Sequence, residues 1–102
     1  MSRRYRLTPR AASDLSGIFQ YSAVTWNVRQ AEHYLTRLYD AAAQIADNPK
    51  LGVSRPDIGE GIRAMRVQSH YLFYRPDGPE VRILRVLHVR QYAEATGFDN
   101  TE

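Results

Sequence analysis

The segment from Ile62 to His88 decides the fold. It runs Ile62-Arg63-Ala64-Met65-Arg66-Val67, Gln68-Ser69, His70-Tyr71-Leu72-Phe73-Tyr74-Arg75, Pro76-Asp77-Gly78-Pro79, Glu80-Val81-Arg82-Ile83-Leu84-Arg85-Val86-Leu87-His88. Three runs rich in β-branched and aromatic residues are parted by short connections, the pattern of consecutive antiparallel strands. Pro76-Asp77-Gly78-Pro79 is a strong turn signal. Gln68-Ser69 has the right length for a hairpin, although neither residue favours positive φ. Period-two alternation sets Arg63, Met65 and Val67 against Ile62, Ala64 and Arg66. In the last run it sets Val81, Ile83, Arg85 and Leu87 against Arg82, Leu84, Val86 and His88.

Upstream of these strands, glycine and proline punctuate a loop from Lys50 to Gly61. Before the loop the apolar period changes to that of helices. Thr8-Pro9 offers a hydroxyl cap followed by proline at the first helical position, where its missing N–H costs nothing. Ala11, Ala12, Leu15, Ile18, Phe19, Ser22 and Trp26 then recur at three- to four-residue spacing, predicting a helix to about Thr25. Asn27, with Gln30 three residues on, marks a second cap. Val28, Ala31, Leu35, Leu38, Ala42, Ile45 and Ala46 form the next stripe, which Asn48-Pro49 ends. The two helices form a hairpin. A short strand at Tyr5 to Leu7 adds an edge, and a short helical tail is expected around Gln91 to Ala95. The expected class is α+β, in the order β-α-α-β-β-β, with the helical hairpin packed on a small antiparallel sheet.

With 102 residues, 43% of them hydrophobic and 25% charged, the chain suits one domain over residues 1–102 and excludes a two-domain enzyme. The absence of cysteine removes disulfide frameworks, thiolate zinc sites and cysteine nucleophiles. No apolar run approaches the roughly 20 residues that span a bilayer, and the basic N-terminus has no apolar segment behind it. A soluble, unprocessed, cytoplasmic protein is expected, with no membrane association. The net charge is +3, and Lys50 is the sole lysine beside thirteen arginines. Arginine pairs bidentately with carboxylates and phosphates, which suits an anionic partner. Genomic GC bias produces the same composition, and charge by itself does not separate nucleic acid from acidic protein.

Nucleophile-elbow, P-loop and dinucleotide-binding patterns are absent, and Gly59-Glu60-Gly61 is a turn. His33, His70 and His88 lack the spacing of a metal site, so neither a metal nor a cofactor is expected, and His33 belongs on the surface. Asp57, Glu60, Asp77 and Glu80 lie in loops as solvating charges. The remaining constellation is Arg63, Arg66, Arg75, Arg82, Arg85, His88 and Arg90, interleaved with Tyr71, Phe73, Tyr74 and Tyr92. One sheet face covers the helical hairpin, through Leu15, Phe19, Trp26, Leu35 and Leu38. The other then displays arginine and aromatic groups around an open concavity, suited to an RNA backbone or an acidic peptide. The alternative is that the tyrosines complete the core and the arginines pair with nearby carboxylates.

The order and spacing of several stretches resemble the ParE toxins of the RelE/ParE superfamily of bacterial toxin–antitoxin pairs. They are Tyr5 to Leu15 with Ile18, Tyr21 and Trp26; Asn48-Pro49-Lys50-Leu51-Gly52; Arg63 to Arg75; and Arg82 to Arg90. The resemblance implies a small cytosolic toxin, linked to growth arrest and plasmid stabilisation, that poisons DNA gyrase and is neutralised by a ParD-like antitoxin. It would act through a protein interface and not as an enzyme, and whether it touches DNA directly is left open. On this reading Arg63, Tyr71, Arg85, His88, Arg90 and Tyr92 form the toxic surface. Tyr21, Tyr34 and Tyr39, beside the hairpin stripes, receive an amphipathic antitoxin helix. The RelE-like branch, ribosome-dependent mRNA interferases, is the alternative, with His88, Arg63 and Arg90 as catalytic groups. Tyr71 stands where that branch would carry an arginine, Tyr92 follows Arg90 too closely to match its tail tyrosine, and its lysines are absent. Gyrase poisoning therefore ranks ahead of RNA cleavage.

Overall fold

The computed structural model describes residues 4–94, and residues 4–91 with their side chains. The elements run β1 (Arg4–Leu7), α1 (Pro9–Thr25), α2 (Val28–Asp47), β2 (Val53–Ser54), β3 (Arg63–Val67), β4 (His70–Asp77), β5 (Glu80–His88) and a 3₁₀ helix (Val89–Glu94). Both helix starts form as their sequences predict. Thr8 Oγ1 accepts from the Ala11 N–H at 3.1 Å and donates to the Leu84 carbonyl at 2.9 Å, so the cap also ties α1 to β5. Asn27 Oδ1 accepts from the Gln30 N–H at 2.8 Å. The tail is helical but tighter, and it starts earlier than expected; Ala95 lies outside the described residues.

The α+β order holds, with one addition and one change of direction. Val53–Ser54, expected in the loop, pairs with Arg63 and Ala64 as a short edge strand. The sheet order is β1-β5-β4-β3-β2. Every pair is antiparallel except β1 with β5, so the sheet is mixed and not purely antiparallel. The chain reverses direction at each connection between β1 and β5. The number of reversals is even, so β5 returns along the direction of β1.

α2 anchors the hairpin. It buries Ala31, Leu35, Leu38, Ala41, Ala42, Ile45 and Ala46, whereas α1 buries only Ala11, Leu15 and Ser22. Each large aliphatic side chain removed from water contributes about 1.5–3 kcal/mol. These residues pack on Leu72, Tyr74, Val81, Ile83 and Val86 of the sheet. Trp26, predicted within the α1 stripe, instead ends the helix and is 61% exposed.

Strict alternation fails in β5. Phe73 pairs with Arg85 but Tyr74 pairs with Ile83, so Leu84 is an extra residue that bulges the strand. The bulge inverts the phase beyond it. Val81 and Ile83 face the helices, and past the bulge Val86 does so, while Leu84 and Leu87 turn to the far side. The far face is also covered, contrary to the expected open concavity. Ile58 and Ile62, from the segment before β3, close over Ala64, Phe73, Leu84 and Leu87, with Tyr71 packed beside them.

Two local geometries hold the connections. Gln68 takes φ +55°, a left-handed conformation that its side chain does not favour, to close the β3–β4 hairpin. Buried Tyr74 ties down the chain after α2, its hydroxyl accepting from the Gly52 N–H and donating to the Pro49 carbonyl, both at 2.7 Å. Gly52 is required there, because a Cβ would lie 2.7 Å from that hydroxyl and 2.8 Å from the Ala64 carbonyl oxygen.

Candidate functional site

The sheet places a polar cluster beneath the C-terminal half of α1. His70 opens β4 and His88 closes β5, and the two are paired across the strands. Their rings meet edge to face, with centroids 5.2 Å apart. On the other side of His70, the Tyr34 hydroxyl of α2 lies 2.6 Å from Nδ1 and accepts the Ser69 N–H at 3.2 Å. The Tyr34 hydroxyl thus accepts from Ser69 and shares a second hydrogen bond with Nδ1, whose direction follows the imidazole tautomer. Burial, then the neighbouring His88, push His70 down to about 4, with Asp14 opposing them. His70 is therefore neutral at pH 7 and acts as a hydrogen-bonded brace. Burial also raises the Tyr34 hydroxyl, against the lowering effect of Ser69.

Beside the histidines, Asp14 of α1 receives Arg85 bidentately, from Nε at 2.8 Å and Nη2 at 3.1 Å, and the Val86 N–H at 2.9 Å. The pair is largely buried and locks α1 to the strand just past the bulge. Asp14 and His70 are the central residues that sequence reasoning did not single out. Asp14 left a signal, a carboxylate one position before Leu15 and four before Ile18, hence on the edge of the apolar stripe. The contact of His70 with Tyr34, across 36 positions, left none.

Above this cluster lies a groove of about 630 Å³ between α1, the start of β4 and the end of β5. Tyr21 and Trp26 line its α1 side, 68% and 61% exposed. Tyr34, His70, His88 and Arg90 also line it. The Arg90 N–H donates to His88 Nδ1 at 3.0 Å, and Gln91 Oε1 accepts from the His88 N–H at 3.0 Å, which fixes the start of the 3₁₀ helix. One groove thus unites Tyr21 and Tyr34, expected to bind one partner, with His88 and Arg90, expected to act on another.

The remaining predicted residues lie elsewhere. Tyr39 borders a separate groove between the helices, with Leu15, Phe19 and Leu35. Arg63 donates from Nε to the Gly52 carbonyl at 3.0 Å and from Nη2 to the Lys50 carbonyl at 3.3 Å, clamping the loop after α2. Tyr71 is on the far face, 6.1 Å from the Phe73 ring. The Tyr92 side chain lies outside the described residues. The arginine–aromatic set is therefore split between two faces. Among the described residues no group of three or more histidines and carboxylates is placed to hold a metal ion, and no helix is long and apolar enough to cross a membrane.

Comparison with known proteins agrees with this architecture. Residues 5–92 match the family model described as the ParE toxin of the type II toxin–antitoxin system parDE. The chain is 41% identical over 91 residues to Toxin ParE1 of Mycobacterium tuberculosis, covering 88% of this chain and 93% of that protein. Among solved structures it is similar to the chromosomal ParDE toxin–antitoxin system from P. aeruginosa, with TM-score 0.75 and 22% identity over 86% of this chain and 97% of that one. It is also similar to the RelBE2 toxin–antitoxin complex from Mycobacterium tuberculosis, with TM-score 0.65 and 24% identity over 86% and 99%. At such identities the structural likeness bears on the fold alone. The family match over residues 5–92 and the 41% identity carry the assignment: the chain belongs to the ParE toxin family of type II toxin–antitoxin systems.

Proposed function

We propose that this protein is the toxin of a type II pair in the bacterial cytoplasm, that it poisons DNA gyrase through a protein interface, and that a ParD-like antitoxin neutralises it. The observation that carries the interface reading is the separation of the groups an RNA-cleaving site would need to bring together. His88 and Arg90 line the helix-side groove, whereas Arg63 borders a different pocket beside Arg75 and has its guanidinium on two backbone carbonyls. RNA cleavage by 2′-OH attack requires base, acid and phosphate-binding groups around one phosphate.

The groove supports the antitoxin part of the reading. The exposed Tyr21 and Trp26 on this groove suit one face of an amphipathic helix, with aromatic anchors at the centre of contact. Replacing Tyr21 and Trp26 together by alanine is expected to weaken antitoxin binding about 1,000-fold, since truncating such anchors costs on the order of 2 kcal/mol each. The gyrase part is tested with purified gyrase, plasmid DNA and this protein, using detergent and protease to release trapped breaks. Linear DNA that disappears on adding antitoxin supports it. No effect from folded protein, together with cleavage of ribosome-bound mRNA, would replace it with the interferase reading.

A further inference from the structure

The face of the sheet away from the helices carries a row of like charges that the fold does not explain. Arg6 of β1 pairs with Arg82 of β5, and Arg82 pairs with Arg75 of β4. Tyr5, Leu7, Val81, Ile83 and Tyr74, the chain neighbours of these arginines, all pack toward the helices. Alternation therefore puts the three guanidinium groups on the opposite side, abreast on adjacent strands. Like charges placed directly opposite across strands repel and destabilise a sheet. The next row along the strands, Arg4, Glu80 and Asp77, relieves this only at its edge. Arg6 approaches Glu80 at 4.0 Å, but Arg75 and Arg82 have no ion pair or hydrogen bond among the described residues. Both are only partly exposed, and Arg75 also packs along Gly61.

We infer that the Arg6–Arg82–Arg75 row is a binding site for the phosphate backbone of double-stranded DNA, separate from the helix-side groove. Adjacent strands lie about 4.8 Å apart, so the row spans about 10 Å. Over that length one strand of a duplex presents about three phosphates, at 3.4 Å of rise each. Guanidinium forks pair with phosphate oxygens bidentately, and such contacts position a duplex without selecting sequence. An acidic peptide fits less well. Extended peptides add along a sheet edge and are held by side-chain pockets, whereas this row crosses the strands and is flanked by Gly61 and Pro76. No aromatic ring stands in the row to stack the bases of a single strand. The site is independent of the gyrase reading, because the duplex is bound by the toxin itself.

The test is fluorescence anisotropy of a labelled duplex of arbitrary sequence with the full chain, titrated across salt without gyrase. Three phosphate contacts give a slope of log affinity against log salt of about −2.7, a loss of about 40-fold between 50 and 200 mM. R75Q/R82Q is expected to make the slope shallower by about 1.8, R75K/R82K to retain it, and R29Q/R37Q, on the outer side of α2, to leave it unchanged. Circular dichroism confirms that each variant is folded. The inference is overturned if R29Q/R37Q flattens the slope as much as R75Q/R82Q. It is also overturned if a glutamate decapeptide or single-stranded RNA binds in preference to the duplex, or if the duplex does not bind at 50 mM salt.

Discussion

Lowering the pH from about 7.5 to about 5 is expected to withdraw stability from this protein through His70. In the fold its pKa is pushed down to about 4, mainly by burial; in the unfolded chain it returns to about 6.5. Between these values the unfolded state binds the proton and the folded state does not, so stability is full above about 6.5 and drains as pH falls toward 4. At pH 5 the unfolded imidazole is almost fully protonated and the folded one only about a tenth so. The difference corresponds to about 2 kcal/mol, reduced toward about 1 by solvent screening because the ring is only partly buried. Protonation also leaves Nδ1 a donor only, so the Tyr34 hydroxyl, which already accepts from Ser69, cannot donate to it. Urea denaturation of the native chain and of His70→Gln at both pH values isolates this contribution, since every other titrating group is common to the two. The native chain should lose about 1–2 kcal/mol more than the variant. Equal losses would refute the burial argument.

Asp14→Asn removes the counter-charge of Arg85 and should cost about 2–4 kcal/mol in urea denaturation, because it leaves a largely buried guanidinium beside an amide that cannot neutralise it. In a double-mutant cycle, Asp14→Ala with Arg85→Ala should lose well under the sum of the single losses; additivity would mean that the pair is not coupled. Gln68→Gly relieves the left-handed backbone at φ +55° and should gain about 0.5–1 kcal/mol, read as a Tm increase of several degrees. A decrease would show that the side chain supports the turn in some other way.

Features that depend on neighbours in the chain were legible before the fold was known. Thr8-Pro9 and Asn27 cap their helices because a side-chain oxygen needs only a backbone N–H three residues on. The meander from Arg63 to His88 follows from turn chemistry and alternation within a few residues. The ParE resemblance, carried by order and spacing, agrees with the family match over residues 5–92. The candidate site was less legible. The groove gathers Tyr21, Tyr34, His88 and Arg90, but the division of the arginine–aromatic set between faces was not legible, because the Leu84 bulge reverses side-chain direction with no local composition to announce it.

The α+β order, the limits of α1 and α2, the hairpin turns and the family all follow from interactions of short range or from pattern along the chain. Tertiary structure alone decided that β1 runs parallel to β5, that Ile58 and Ile62 close the far face, and that Trp26 stands at the groove rim. It alone brought Asp14 to Arg85 across 71 positions and Tyr34 to His70 across 36. These pairings arise when apolar burial brings distant elements together, and only then must each polar group removed from water find its partner.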